Sequence, residues 1–168
     1  DGALTNALTL NGGTLRGTNG FGQYWDGNIT LGAHSTIKAD NNLIIDGVIS
    51  GSSKNLTKTG NGNLLLRGNN TYTGSTTISA GTLTLSGSGN LGAGSYAGAI
   101  ANSGVFKFDT SANLISTGVI SGSGAVNVSG AGIFEPTATN TYTGGTIIDG
   151  GKIAAKTDRN FGANPSSD

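Results

Sequence analysis

Residues 54–87, KNLTKTGNGNLLLRGNNTYTGSTTISAGTLTLSG, decide the fold. Their apolar residues occur in short or alternating runs, at 64–66, 78 and 83–85, with a period of two rather than 3.6. Glycine or asparagine bounds each run, and glycine reaches positive φ without steric cost, so it suits tight corners and weakens helices. Thr, Ile and Tyr favour a pleated, half-buried surface. The stretch therefore predicts strands of roughly four to six residues joined by corners.

A second version of this stretch follows at residues 124–157, GAVNVSGAGIFEPTATNTYTGGTIIDGGKIAAKT. Tyr72 and Tyr142 mark the common register of the two copies. Both tyrosines stand in the same short phrase, Asn-Thr-Tyr-Thr-Gly, and a further threonine follows the phrase closely. The similarity indicates an internal repeat.

The repeat also includes a preceding phrase, GVISG, which occurs at residues 47–51 and again at 118–122. The interval between these two phrases is nearly the same as the interval between the two tyrosines. Two motifs that recur in the same order at nearly the same interval argue against chance similarity. We therefore place two related repeats at about 47–87 and 118–157.

A shorter interval lies inside each repeat. Glycines that open an alternating run recur at a spacing that is mostly near 20, at Gly62, Gly81, Gly104, Gly124, Gly132 and Gly151. Such a spacing with short strands is typical of a solenoid, in which each strand pairs with its equivalent one coil away, ~4.8 Å along the axis. We expect an all-β fold, a right-handed parallel β-helix of roughly seven or eight coils. An immunoglobulin-type sandwich also has short strands and frequent turns, but it does not predict that like residues stack.

Composition limits the class of protein. Glycine makes up 31 of the 168 residues, far above the average of ~7%, and nine basic residues balance nine acidic ones. The neutral balance gives no electrostatic reason to expect nucleic acid or a membrane surface as partner. No apolar run approaches the ~20 residues of a membrane span, so we expect no membrane insertion of this segment. Because cysteine is absent, neither a disulfide framework nor a thiolate metal site is expected.

Residues 60–87 resemble the passenger-associated transport repeat of bacterial autotransporters. In that family a glycine-rich strand leads into an Asn-Thr-Tyr-Thr-Gly core, followed by a threonine-rich strand and a Gly-Thr-Leu strand. The matching core residues are Asn70, Thr71, Tyr72 and Gly74 in the first copy, and Asn140, Thr141, Tyr142 and Gly144 in the second. The second copy departs from the pattern at residues 151–155, where a more apolar strand is usual, and Glu135-Pro136 is expected to interrupt the strand that residues 65–66 fill in the first copy. Similar phrases in the flanks extend the likeness over most of the chain.

The resemblance implies a role and a location. Residues 1–168 are expected to form a single β-helix segment of a longer protein, exported through an outer-membrane β-barrel that lies outside this chain and displayed on the bacterial surface. We expect a non-enzymatic stalk of an autotransporter-type adhesin that supports export, display, adhesion or autoaggregation. The alternative is a subunit of a self-assembling extracellular filament or matrix, and a carbohydrate-active β-helix enzyme is a third possibility. The partners would be further copies of the chain or a glycan or protein on a host or other surface.

Few residues suggest chemistry. His34 is the only histidine, and no nucleophile motif accompanies it as a catalytic triad requires. The acids are spread along the chain; stacking of coils would bring some of them together, for instance Asp109 and Asp149, but no spacing requires it. The G-G-x-G-x-D calcium repeat is absent. We therefore expect no catalytic residues, no cofactor and no metal.

Two groups of residues remain as candidates for a structural or binding role. Tyr72 and Tyr142 are expected to pack on the rod beside a turn, with the side chains of Asn70 and Asn140 bonding the turn backbone. Phe21, Tyr24 and Trp25 form the one unusual aromatic group, within the sequence NGFGQYWDG at residues 19–27. They would either cover the end of the core or form an exposed patch that binds a sugar or a protein partner.

Overall fold

The computed structural model describes residues 4–17 and 23–163, and short β-strands make up most of its regular structure. Two 3-10 turns interrupt them, at Gly92–Gly94 and Asp158–Phe161. In chain order the strands are β1 (Leu8–Leu10), β2 (Thr14–Gly17), β3 (Gln23–Trp25), β4 (Ile29–Leu31), β5 (Ser35–Ala39), β6 (Leu43–Ile45), β7 (Ile49–Ser50), β8 (Leu56–Thr59), β9 (Asn63–Leu66), β10 (Thr76–Ile78), β11 (Thr82–Gly87), β12 (Ser95–Tyr96), β13 (Ile100–Asn102), β14 (Val105–Thr110), β15 (Leu114–Ser116), β16 (Ile120–Ser121), β17 (Ala125–Val128), β18 (Ile133–Pro136), β19 (Thr146–Ile148) and β20 (Lys152–Ile153).

The strands form four sheets that run along one axis. Sheet I has the order β1-β4-β7, sheet II β2-β5-β8-β10-β13-β16, sheet III β3-β6-β9-β11-β14-β17-β19, and sheet IV β12-β15-β18-β20. Early coils run from sheet I to sheet II to sheet III, as in β4, β5 and β6, and later coils run from sheet IV to sheet II to sheet III, as in β12, β13 and β14. We therefore describe the rod as having three sides, the third of which carries sheet I and then sheet IV.

The predicted parallel β-solenoid is confirmed. Every strand pair among the described residues is parallel, and each strand pairs with its equivalents in the preceding and following coils. The seven strands of sheet III correspond to about seven coils, in agreement with the seven or eight expected. The pairing excludes a sandwich for this part of the chain, because sandwiches are built from antiparallel sheets.

A narrow apolar core runs through the middle of the coils. In sheet III one inward column contains Leu64, Leu83 and Phe106, which lie in register on successive strands and are fully buried. Each fully buried side chain of this size contributes about 1.5–3 kcal/mol relative to exposure. The stability of each coil therefore depends on the coils stacked on either side of it.

The two repeats pair their strands in the same register. In the first repeat Thr76 pairs with Leu56, and Leu83 pairs with Leu64. At the equivalent positions of the second repeat, Thr146 pairs with Val126 and Ile153 pairs with Phe134. Each repeat thus forms the same structural unit, in which equivalent strands of successive coils pair in the same register.

The second unit is turned by one side of the rod relative to the first. Strands β7 to β11 lie on sheets I, II, III, II and III, whereas their counterparts β16 to β20 lie on sheets II, III, IV, III and IV. The repeat therefore advances by three coils plus one side. This follows from the interval between Tyr72 and Tyr142, because that interval is not a whole multiple of the length of one coil.

The expectation that Glu135-Pro136 interrupts a strand is wrong. Both residues belong to β18, in which Glu135 pairs with Ile115 and Pro136 pairs with Ser116. Pro136 is the last residue of the strand, and no residue of β20 pairs with it, so its missing backbone N–H costs β20 no ladder hydrogen bond. Phe134 takes the inward position that Leu64 occupies in the first repeat, so the second unit keeps an apolar core.

Candidate functional site: the repeat turns and the outer faces

A buried asparagine joins three successive coils in the first repeat. The Asn70 Oδ1 atom accepts a hydrogen bond from the Ile49 backbone N–H at 2.9 Å, in the preceding coil. Its Nδ2 atom donates to the carbonyl oxygens of Gly68 at 2.9 Å and of Asn90 at 3.0 Å, the latter in the following coil. The Asn70 side chain is fully buried, so removal of its amide would leave the Ile49 N–H with neither a protein partner nor water.

Asn140 occupies the corresponding place in the second repeat. Its Oδ1 atom accepts from the Ile120 N–H at 2.8 Å, and its Nδ2 atom donates to the Asn160 carbonyl oxygen at 2.7 Å. Asn160 is itself buried, and its own amide donates to the Ala138 carbonyl oxygen at 2.9 Å. The asparagine bridge from one coil to the next is therefore present in both repeats.

Tyr72 lies inside the coil. Its hydroxyl group hydrogen-bonds the Thr76 Oγ1 atom at 2.8 Å, and that atom also hydrogen-bonds the Tyr96 hydroxyl at 2.7 Å. The Tyr96 hydroxyl donates in turn to the Gly74 carbonyl oxygen, and the two tyrosine rings meet edge to face with centroids 5.8 Å apart. Burial raises the pKa of Tyr72 well above its ordinary value, and burial raises the pKa of Tyr96 to about 12.

Tyr142 repeats part of this network. Its hydroxyl group hydrogen-bonds the Thr146 Oγ1 atom, and burial raises its pKa. The glycine that closes each Asn-Thr-Tyr-Thr-Gly phrase is required by close backbone contact, since a Cβ atom at Gly74 would collide with the Lys54 carbonyl oxygen, and one at Gly144 with the Gly124 backbone. In contrast, the flanking Thr71 and Thr141 are exposed.

Lys58 is a buried residue that sequence reasoning missed. It lies between Ile37 and Ile78 in an inward column of sheet II, where the second repeat has Val128. Its Nζ atom donates to the carbonyl oxygens of Thr59 at 3.0 Å, Gly60 at 2.6 Å and Ala80 at 3.0 Å. The stem is thus part of the core, and the ammonium group satisfies the carbonyls of two successive corners.

Lys58 should make stability depend on pH. Burial lowers the pKa of Lys58 to about 8, opposed by the Asp40 carboxylate, whereas an unfolded lysine titrates near 10.5. Between about pH 8 and pH 10.5 the unfolded chain therefore binds more protons than the folded chain does. The free energy of unfolding should rise by roughly 1–2 kcal/mol from about pH 7 to about pH 9.5. Lys58→Met should abolish this rise, as measured by urea unfolding at each pH. Equal pH profiles for the two chains would contradict the assignment.

The structure places the two described members of the aromatic group, Tyr24 and Trp25, on opposite faces of β3. Phe21 lies outside the described residues. Trp25 is in register with inward residues and packs against the core, and its Nε1 atom has no hydrogen-bond partner. Tyr24 points outward with 46% of its surface exposed, and the Arg67 guanidinium carbon lies 6.0 Å from its ring centroid. Of the described pair, Tyr24 is exposed and Trp25 is partly buried against the core.

The remaining polar candidates have structural contacts. His34 accepts a hydrogen bond at Nδ1 from the Asn55 backbone N–H at 3.0 Å. Asp109 lies on β14 and forms an ion pair with Lys107 at 3.2 Å. Asp149 follows β19, two coils farther along sheet III, so stacking does not bring these two acids into contact. Within the described ranges, no group of three or more His, Cys, Asp or Glu residues is arranged to hold a metal ion.

Comparison with known proteins assigns the repeats to a family. The passenger-associated-transport-repeat matches residues 56–85 and 121–155. The chain is 38% identical over 171 residues to the protein named adhesin BmaC autotransporter, from Brucella suis biovar 1 (strain 1330). That similarity covers 90% of the chain but only 5% of the relative. No solved structure matches the chain.

The matched ranges coincide with the structural units. The first match begins at the first residue of β8 and ends within β11, and the second begins at the last residue of β16 and ends just after β20. Among the residues described, no helix has the length and apolar character needed to span a membrane. The two repeats thus belong to the passenger-associated-transport-repeat family, and the chain is a β-solenoid that is similar to a segment of an autotransporter adhesin.

Proposed function

We propose that the chain is a non-enzymatic, extracellular stalk segment of a surface-displayed adhesin, and that its coil-by-coil folding supports export through an outer-membrane β-barrel. The adhesin name of the relative supports the adhesive role, and the family supports the route of export. Because the chain spans about 5% of that relative, the proposal concerns this segment as one part of a longer rod.

The observation that carries the proposal is the asparagine bridge. Asn70 bonds backward to Ile49 and forward to Asn90, and Asn140 bonds backward to Ile120 and forward to Asn160. A coil that has just left the membrane therefore satisfies its buried amide only when the next coil stacks on it. Each added coil also buries new apolar surface, so the folded part grows at the expense of the unfolded part. Folding outside the cell then prevents the exported chain from sliding back through the β-barrel, and this needs no hydrolysis of a nucleotide.

The test compares two neighbouring residues of the same motif in the full-length protein. Asn70→Ala removes the bridge, whereas Thr71→Ala changes only an exposed side chain. Antibody labelling of intact cells, divided by total protein, should fall several-fold for Asn70→Ala and stay unchanged for Thr71→Ala. If Asn70→Ala lowers the stability of the isolated chain but leaves surface display intact, the proposed role in export is wrong.

Self-association of the isolated chain is a second candidate. Ile148 continues the inward column above Val128, and 53% of its surface is exposed in the described structure. An exposed apolar residue beside an unpaired strand edge favours stacking of copies. Sedimentation of the isolated chain should then show larger species as concentration rises, and Ile148→Asp should suppress them. A chain that stays monomeric up to millimolar concentration would support a simple spacer instead.

A further inference from the structure

Each repeat contains two successive coils that buried side chains tie together. We call each such pair of coils a clamp: the first clamp is residues 68–96, and the second clamp is residues 138–163. We propose that each clamp is a stop at which unfolding of the rod halts, so that the stalk lengthens under tension in discrete steps. The proposal rests on the stalk function proposed above, and it concerns the mechanical behaviour of that stalk.

A second phrase follows each Asn-Thr-Tyr-Thr-Gly phrase one coil later. It reads Asn-Leu-Gly-Ala at residues 90–93 and Asn-Phe-Gly-Ala at residues 160–163, so the repeat extends beyond the ranges that match the family. Its glycine has a positive φ in both copies, 55° at Gly92 and 88° at Gly162, a conformation that other residues rarely adopt. The backbone carbonyl of its asparagine accepts the side-chain hydrogen bond from the preceding coil. Each clamp is thus built from two phrases, one in each of its coils.

The buried polar contacts of the first clamp lie mainly between its own two coils. Toward the coil before the clamp, a buried hydrogen bond runs from the Ile49 N–H to the Asn70 side chain. Inside the clamp, the Asn70 amide donates to the next coil, and the Thr76 Oγ1 atom joins the hydroxyl groups of Tyr72 and Tyr96. The Tyr96 hydroxyl also donates back to the coil of Tyr72, and the two rings pack edge to face. Separating these two coils therefore breaks a buried polar network, which is costly in a site without water.

The second clamp has the same asymmetry. Toward the coil before the clamp, Asn140 accepts a buried hydrogen bond from a backbone N–H. Inside the clamp, the Asn140 amide donates to the Asn160 carbonyl oxygen, and the Asn160 amide donates back to the Ala138 carbonyl oxygen. The Thr146 Oγ1 atom donates to the Phe161 carbonyl oxygen at 3.3 Å. The two coils of each repeat that carry these phrases are therefore joined by polar side chains in addition to the core.

The coils before the first clamp are held together differently. Their inward positions are filled by fully buried aliphatic side chains such as Ile37 and Ile45, and Ser35 supplies a buried hydrogen bond to the Leu10 carbonyl oxygen. Lys58 adds one hydrogen bond toward the clamp. Each coil of a solenoid contacts only its neighbours, so tension along the axis separates coils one after another from an end. Unfolding that begins at the N-terminal end then meets the first clamp as its first buried polar network.

Mechanical unfolding of single molecules tests the proposal. The chain has no cysteine, so handles can be attached at Leu4→Cys and Ala163→Cys and pulled in an optical trap. We expect a first extension of roughly 200 Å, the length of the chain before the first clamp at ~3.4 Å per residue, followed by a pause. Thr76→Val removes the hydroxyl group that joins the two tyrosines, and it should shorten the pause at least tenfold. Thr77→Val is the matched control and should leave the pause unchanged, because Thr77 points outward on the same strand.

Hydrogen exchange of the unmodified chain is a second measurement that needs no variant. Backbone amides of β4 to β6, before the first clamp, should exchange at least tenfold faster than those of β13 to β17, between the two clamps. Unfolding in a single step, a pause at a different extension, equal pauses in the two threonine variants, or uniform exchange would each overturn the proposal. Surface display of the full-length protein is measured separately, so any of these results with normal display would leave the stalk function standing.

Discussion

Replacing Asn70 with alanine should lower the free energy of unfolding of the isolated chain by about 3–4 kcal/mol. The substitution leaves the Ile49 N–H without a partner in a fully buried site, and it removes one of two hydrogen bonds from the Gly68 and Asn90 carbonyl oxygens. A buried group left without any partner costs about 1–3 kcal/mol, and each of the other two lost hydrogen bonds costs about 0.5–1.5 kcal/mol. Equilibrium unfolding in urea, followed by circular dichroism, measures the loss directly.

Asn140→Ala is the matched comparison. The structure shows two side-chain hydrogen bonds for Asn140 and three for Asn70, so the loss should be smaller at Asn140. Both losses should exceed that of Thr71→Ala, whose side chain is exposed. A loss below about 1 kcal/mol at Asn70 would mean that the bridge does not hold the coils together.

Replacing Tyr72 with alanine should lower the free energy of unfolding by about 3–5 kcal/mol. The ring is fully buried and packs edge to face on Tyr96, so truncation leaves a cavity that the surrounding coils fill only in part. Tyr72→Phe should cost only about 1 kcal/mol, because Thr76 keeps its hydrogen bond to Tyr96. Thermal and urea unfolding of the two variants separate packing from hydrogen bonding.

The control for an aromatic truncation is Tyr24, which is on the outside of the coil. Tyr24→Ala should change stability by less than about 1 kcal/mol, since the ring is half exposed and makes one distant contact with Arg67. Equal losses for Tyr24→Ala and Tyr72→Ala would contradict the placement of Tyr72 inside the coil.

Much of the fold could be predicted because its determinants are local. Alternation at residues 82–85 and glycine at the corners act within a short stretch of chain, and the regular spacing of those glycines then requires stacking. The motif around Tyr72 pointed to the family for the same reason. What local pattern does not determine is the side of the rod on which a strand lies. The one-side shift between repeats depends on the sum of all corner lengths between Tyr72 and Tyr142.

The candidate sites were harder to predict. Tyr24 and Trp25 are adjacent in sequence, so on a strand they point to opposite faces, and the pair does not form one patch. Lys58 stands between alternating threonines like a surface residue, and only the three carbonyl oxygens around its ammonium group explain its burial.

The repeat builds a parallel solenoid and advances by three coils plus one side, and this placement can be measured directly. The chain has no cysteine, so paired cysteines report distances without background. In Lys107→Cys/Asn127→Cys the two positions are in register on sheet III, and in Ala101→Cys/Asn127→Cys they lie on different sides. Treatment of both folded variants with a short thiol cross-linker should join the first pair rapidly and leave the second pair open. Rapid joining of residues 101 and 127, with none between 107 and 127, would show that both repeats lie on the same side and would contradict the account.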